Sequence, residues 1–98
     1  MKKWEFEYQG HTFRVEDSAS KERLFVDGEF QDENFGFGFR SRLYGTLRDA
    51  ERGDKPVRVA LGGWVRQCRV FVDDRLVFHT KPDKDAVQAL ERTHAKTD

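Results

Sequence analysis

Ninety-eight residues with 18 basic and 18 acidic side chains carry no formal net charge, so no global field draws the chain to nucleic acid or to an anionic membrane. The single cysteine, Cys68, excludes an intrachain disulfide, and no apolar run approaches the roughly 18 residues that a membrane-spanning helix needs. The length suits one domain that buries roughly 60–65% of its unfolded surface, with nine Phe, two Trp and two Tyr as core material.

Near the start, Lys2 and Lys3 are followed by Glu5 and Glu7, which interrupt what would be the apolar part of a signal segment. The expectation is a reducing, cytoplasmic location. Trp4-Glu5-Phe6-Glu7-Tyr8 alternates strictly, His11-Thr12-Phe13-Arg14-Val15 alternates again, and Gln9-Gly10 separates them. A two-residue turn there pairs Tyr8 with His11, Phe6 with Phe13 and Trp4 with Val15 on one face. On the other face it pairs Glu7 with Thr12 and Glu5 with Arg14.

Residues 16–22 are polar and predict a loop. A second hairpin is predicted over 23–32, turning at Asp27-Gly28, a pair suited to the positive φ angles of a type I′ turn, with Phe25 opposite Phe30. Residues 34–44 read as one strand, with Phe35, Phe37 and Phe39 inward and Gly36, Gly38, Arg40 and Arg42 on the other face. A charged loop follows over 46–56, with one helical turn near Leu47–Arg52.

Val57–Leu61 and the longer run Trp64–Val72 predict a third hairpin about Gly62-Gly63, pairing Leu61 with Trp64 and Val57 with Cys68. Its inward face is Val57, Val59, Leu61, Trp64, Cys68, Val70 and Val72. Arg66 falls on the same face, a flaw that a bulge would repair. Asp73-Asp74 turns the chain into Arg75–His79, pairing Phe71 with Leu76 and Arg69 with Phe78. Residues 1–82 are thus expected to form the β domain. Residues 83–98 are expected to form a short helix carrying Val87, Leu90 and His94, followed by a frayed tail.

Phe13-Arg14-Val15, an insert, and Leu24-Phe25-Val26-Asp27-Gly28 recur as Val57-Arg58-Val59, an insert, and Val70-Phe71-Val72-Asp73-Asp74. Two similar halves of about four strands, without helical crossovers, predict an all-β fold. The expected form is an antiparallel β-sandwich of about eight strands with hairpin connections. Val26-Asp27-Gly28-Glu29, Val57-Arg58-Val59, Cys68 and Val70-Phe71-Val72-Asp73-Asp74-Arg75-Leu76-Val77 resemble one domain of the Fas apoptotic inhibitory molecule family, over about residues 13–77. That resemblance implies an antiparallel β-sandwich without known catalytic residues. The C-terminal helix has no counterpart in it.

His11, His79 and His94 make no metal-ligand spacing. Arg66 and Arg69 beside Cys68 would favour a thiolate, but alternation places the thiol inward as an inert core group. Asp73 and Asp74 are neighbouring turn residues that point apart, which does not suit acid–base chemistry. No G-x-S-x-G, Walker or dinucleotide motif occurs. The expectation is therefore no enzyme, no cofactor and no metal.

Gly36-Phe37-Gly38-Phe39 resembles the first RNA-binding motif of cold-shock domains, whose aromatics stack on bases. Against it, Phe35 stands where that motif has a basic residue, and three inward Phe also suit a core strand. Val65, Phe71, Leu76 and Phe78 share a face that a singly buried sheet would keep polar, so the C-terminal helix, a protein partner or a second subunit is expected to cover them.

The primary expectation is a non-enzymatic protein-interaction module using Val65, Phe71, Leu76 and Phe78. The alternative is a single-stranded nucleic-acid binder using Gly36, Gly38, Arg40 and Arg42. Neutral charge favours the first, and no membrane is expected as partner.

Overall fold

The computed structural model describes residues 2–35, 40–63 and 66–80. Eight strands follow in chain order: β1 (Lys2–Tyr8), β2 (His11–Asp17), β3 (Lys21–Val26), β4 (Glu29–Phe35), β5 (Arg40–Leu47), β6 (Lys55–Gly62), β7 (Gln67–Val72) and β8 (Arg75–His79). They form two four-stranded antiparallel sheets, β1-β2-β3-β4 and β5-β6-β7-β8, each a simple meander. The fold is all-β, and no helix occurs among the described residues. The expected helix over 83–98, with Val87, Leu90 and His94, lies outside the described residues.

Local chemistry sets the hairpins. Gln9 and Gly10 have φ of 51° and 81°, Asp27 and Gly28 51° and 79°, and Asp73 and Asp74 52° and 62°. Positive φ at both central positions gives the turn a twist that matches the flanking strands. The β1/β2 register is the expected one, Tyr8 with His11, Phe6 with Phe13 and Trp4 with Val15. Phe25 likewise lies opposite Phe30.

The inward residues make one core drawn from both sheets: Phe13, Val15, Leu24 and Val26 from the first, Leu43, Leu47, Val57, Val59, Leu61, Cys68, Val70 and Val72 from the second. Phe6 closes one side of it. Its ring lies 4.9 Å from Phe13 within its own sheet and 4.3 Å from Phe78 on β8 of the other.

Three expectations are corrected. Residues 16–22 are not one loop, because β2 continues to Asp17 and β3 begins at Lys21. Residues 34–44 are not one strand: β4 ends at Phe35 in the first sheet and β5 begins at Arg40 in the second. Phe35 is 76% exposed rather than inward, while Phe37 and Phe39 lie outside the described residues. The helical turn expected near Leu47–Arg52 is present as a single uncontinued turn over Asp49–Gly53, with Asp49 capping the N–H groups of Glu51 and Arg52. β5 runs to Leu47, and the following loop closes through a Gly53 N–H to Asp49 carbonyl bond of 2.9 Å. Finally, β6 and β7 pair Leu61 with Cys68 and Val57 with Val72, so their connection is longer than Gly62-Gly63. The shift is an even number of residues, so the inward set is preserved although the partners change.

The internal repeat is present in the fold. Phe13 pairs with Val26 as Val57 pairs with Val72, and Val15 with Leu24 as Val59 with Val70. The N–H of Asp27 donates to the Thr12 carbonyl at 2.7 Å, and that of Asp73 to the Pro56 carbonyl at 2.9 Å. The Arg14 guanidinium sits 4.1 Å from the Phe25 ring, and that of Arg58 4.1 Å from Phe71. Both halves also bulge at the same place. The register shifts between Leu24 and Phe25, where Gln31 is the extra residue, and between Val70 and Phe71, where Val77 is. The second bulge corrects another expectation. Phe78 pairs with Val70 and turns to the core, and Arg69 pairs with His79.

Between the sheets, β4 supplies side chains to the backbone of β5. Asn34 Nδ2 donates to the Arg42 carbonyl at 2.6 Å, the Tyr44 N–H donates to Asp32 Oδ2 at 2.8 Å, and the Thr46 N–H donates to Gln31 Oε1 at 3.1 Å. This satisfies the edge of β5 without a strand partner there. It also explains Gly45: a Cβ at that position would meet the Gln31 side chain at 2.9 Å.

Candidate functional site

Strand pairing sets the outer face of the second sheet in rows. Arg42 on β5 pairs with Ala60 on β6, which pairs with Arg69 on β7. Next to that row run Arg40, Gly62 and Gln67 on one side and Tyr44, Arg58 and Phe71 on the other. Alternation puts all of these on the side away from Leu43, Val59 and Val70. The small residues of β6 leave a trough between the taller side chains of β5 and β7. It has a volume of about 450 Å³ and is lined by Arg40, Arg42, Arg58 and Arg69, with Ala60, Gly62 and Gly63 along its floor.

The charge here is one-sided. β5, β6 and β7 present no Asp or Glu on this face. Among the described residues, none of the four arginines has a carboxylate within ion-pair distance. The outer face of the first sheet is different, because three of its cations stand beside carboxylates: Lys3 with Glu5 at 3.3 Å, Arg14 with Glu16 at 3.2 Å and Arg23 with Glu33 at 2.8 Å. Among the described residues, a chain of zero net charge therefore gathers four arginines without carboxylate partners on one sheet face.

The residues singled out in the sequence divide unevenly. Arg40 and Arg42 line the trough, while Gly36 and Gly38 lie outside the described residues. The apolar surface of Val65, Phe71, Leu76 and Phe78 is not a single face. Phe78 is turned to the core by the β8 bulge, Phe71 lies under the Arg58 guanidinium, Leu76 is 48% exposed, and Val65 lies outside the described residues. Arg58, Arg69, Tyr44 and Ala60 were not anticipated. Their signal was the outward alternation Arg58-x-Ala60 and Arg69-x-Phe71, which becomes a cluster only in the observed β6/β7 register.

Two polar clusters fasten the ends of the sheets. At one end, His11 Nδ1–H donates to Asp27 Oδ2 at 2.6 Å and Nε2–H to Asp49 Oδ2 at 2.9 Å. Asp49 also accepts from the N–H groups of Glu51 and Arg52, each at 2.8 Å. The bond to Asp27 and then the bond to Asp49 raise the His11 pKa above its ordinary 6.5. In return, the imidazolium holds both carboxylates below their ordinary 3.8, helped by the Thr12 N–H at Asp27 and by the Arg52 N–H at Asp49.

The sign of the pH dependence follows. The His11 contribution to stability is complete below the unfolded value of 6.5 and is lost as pH rises through the higher folded value, because neutral imidazole has one N–H for two carboxylates. The Asp27 and Asp49 contributions are complete above 3.8 and are lost as pH falls through their depressed folded values. The thermal midpoint, followed from acid to alkaline pH, is expected to fall once pH exceeds that of the folded His11, and His11→Gln is expected to remove that step. An alkaline step of the same size in His11→Gln would assign it to another group.

At the other end, Arg66 is the charge that did not fit the predicted register. It lies in the β6–β7 connection, its Nε–H donating to Asp17 Oδ2 at 2.9 Å and its Nη2–H to Glu22 Oε2. Glu22 is 3% exposed on the core face of β3 and also accepts from the Ser41 hydroxyl at 2.6 Å. Cys68 is fully buried, and burial pushes its thiol up to about 12, with the Asp17 charge adding to the effect. This is the opposite of an activated nucleophile. Asp73 and Asp74 are exposed turn residues. No family model, no curated protein and no solved structure matches this chain.

Proposed function

We propose that this chain is a small non-enzymatic interaction module, a β-sandwich whose working surface is the arginine trough on its second sheet and whose partner is a polyanion. The observation that carries the reading is the set of four arginines around one concavity with no acidic residue among them. Cations held together without counter-charges repel one another, and a negatively charged partner relieves that repulsion. The sandwich form is supported by the single core drawn from both sheets and by the Phe6–Phe78 contact across them. This reading keeps an interaction module and moves its surface from the Phe71/Leu76/Phe78 grouping to the neighbouring rows.

Retention on a sulfated-polysaccharide resin tests the proposal. The parent protein is expected to bind at low salt, and Arg42→Ala with Arg69→Ala to elute at distinctly lower salt, because each lost contact reduces the number of counterions released. Arg14→Ala with Arg23→Ala, on the first sheet, makes the same change in net charge and is expected to elute later than the trough variant. Equal elution of the two double variants would show that net charge, and not the trough, governs retention. Flow-through of the parent protein at low salt would sink the proposal.

A further inference from the structure

We infer that the polyanion is a single-stranded nucleic acid, laid along β6 with its phosphates against the arginines of β5 and β7 and its bases over the Tyr44/Arg58 row. This inference rests on the reading of the trough as a polyanion site and names its ligand. Two observations favour a nucleic acid over an acidic polypeptide, and a third favours a single strand over a duplex.

The cations lining the trough are all arginines. The planar guanidinium fork makes paired bonds to phosphate oxygens and stacks on flat groups, neither of which a lysine ammonium does. Next, one end of the trough carries a stacking row. Tyr44 is 53% exposed, and the Arg58 guanidinium, 4.1 Å from the Phe71 ring, is layered on that aromatic. Bases stack on tyrosine rings and on arginine planes alike. An acidic peptide would satisfy the charges and leave this row without a flat partner.

The width of the trough selects a single strand. Arg42 and Arg69 flank Ala60 on neighbouring strands. Their backbones are therefore about 10 Å apart, two inter-strand spacings. One chain fits between such walls over a floor of Ala60 and Gly62, whereas a duplex would rest on the rims and leave the floor unfilled. Neutral net charge does not oppose binding, because carboxylates of the first sheet stand beside cations of their own face, away from the trough.

The test is fluorescence anisotropy of the full chain at low salt. The labelled probes are a thymidine oligonucleotide, a uridine oligonucleotide of equal length, a duplex of equal length, and a polyglutamate of matched charge. Both single strands are expected to bind more tightly than the duplex and the polyglutamate, and the ratio of the two single-strand affinities tells DNA from RNA. Tyr44→Ala is expected to weaken single-strand binding roughly tenfold without changing its salt dependence, and Tyr44→Phe to retain it, since stacking uses the ring. Arg42→Ala with Arg69→Ala is expected to flatten the salt dependence by about 1.4, two contacts at about 0.7 each. Ala60→Glu, an exchange on the trough floor, is expected to abolish binding while the thermal midpoint holds. If polyglutamate binds as tightly as the single strands and Tyr44→Ala changes nothing, the ligand assignment is wrong and the polyanion reading survives. Duplex binding as tight as single-strand binding would overturn the single-strand geometry. If no probe binds, both readings fail together.

Discussion

Arg66→Ala is expected to lower the unfolding free energy by about 3–5 kcal/mol, the range for removing one partner of a buried ion pair. Glu22 occupies a core-facing position of β3, beside Leu24 and Val26, and is 3% exposed. Its carboxylate is tolerable there because the Arg66 guanidinium and the Ser41 hydroxyl both donate to it. Without Arg66, the hydroxyl alone faces a buried charge, and the Asp17 carboxylate loses its Arg66 bond. Replacing both charges is a different matter. Glu22→Leu with Arg66→Met is expected to regain most of the loss, since well-packed apolar groups often match or exceed a buried pair in stability. Urea unfolding of the two single variants and the double variant measures the coupling. A cost below about 1 kcal/mol for Arg66→Ala would show a solvated surface pair instead.

Phe6→Ala is expected to cost about 3 kcal/mol, the low end of the range for a buried phenylalanine because the ring is only half-buried. The ring lies between Phe13 and Phe78, with interplanar angles of 6° and 4°. Its loss opens a gap where the two sheets meet. The same column tests the bulge in β8. A double-mutant cycle with Phe6→Leu and Phe78→Leu is expected to show a coupling of about 0.5–1.5 kcal/mol, the usual worth of an aromatic pair beyond its area. With uninterrupted alternation in β8, Phe78 would face outward, and the coupling would vanish.

That bulge has no local cause in the sequence of β8. The hairpins were legible because their causes are local. Asp27-Gly28 and Asp73-Asp74 sit at positive φ where turn chemistry put them, and strict alternation from Trp4 to Val15 left one register that buried the aromatics. The inward set of β6 and β7 was legible even in the wrong register, because an even slip keeps every side chain on its face. A bulge leaves no such mark. Val77 is an ordinary strand residue, and only the packing of Phe78 on Phe6 explains why the chain spends it as the extra one. The polar run Gln31-Asp32-Glu33-Asn34 was equally opaque. Gln31, Asp32 and Asn34 serve the backbone of β5, a strand of the other sheet.

The candidate site belongs to the same division. Arg40 and Arg42 could be picked out two residues apart on one strand, whereas Arg58 and Arg69 join them only through the β5/β6/β7 pairing. Arg66 read as a flaw and Glu22 passed unnoticed, because each is explained only by the other, 44 residues away in the chain. By itself, then, the sequence determined the all-β class, three of the turns and the inward residues of β1, β2, β6 and β7, which follow from neighbours one to five positions apart, and the overall neutrality. Only the tertiary structure decided which charges are paired and which are left together. Ion pairing depends on distance in space, and a sum over the chain returns zero whether the charges are mixed or, as among the described residues here, gathered by sign on one face.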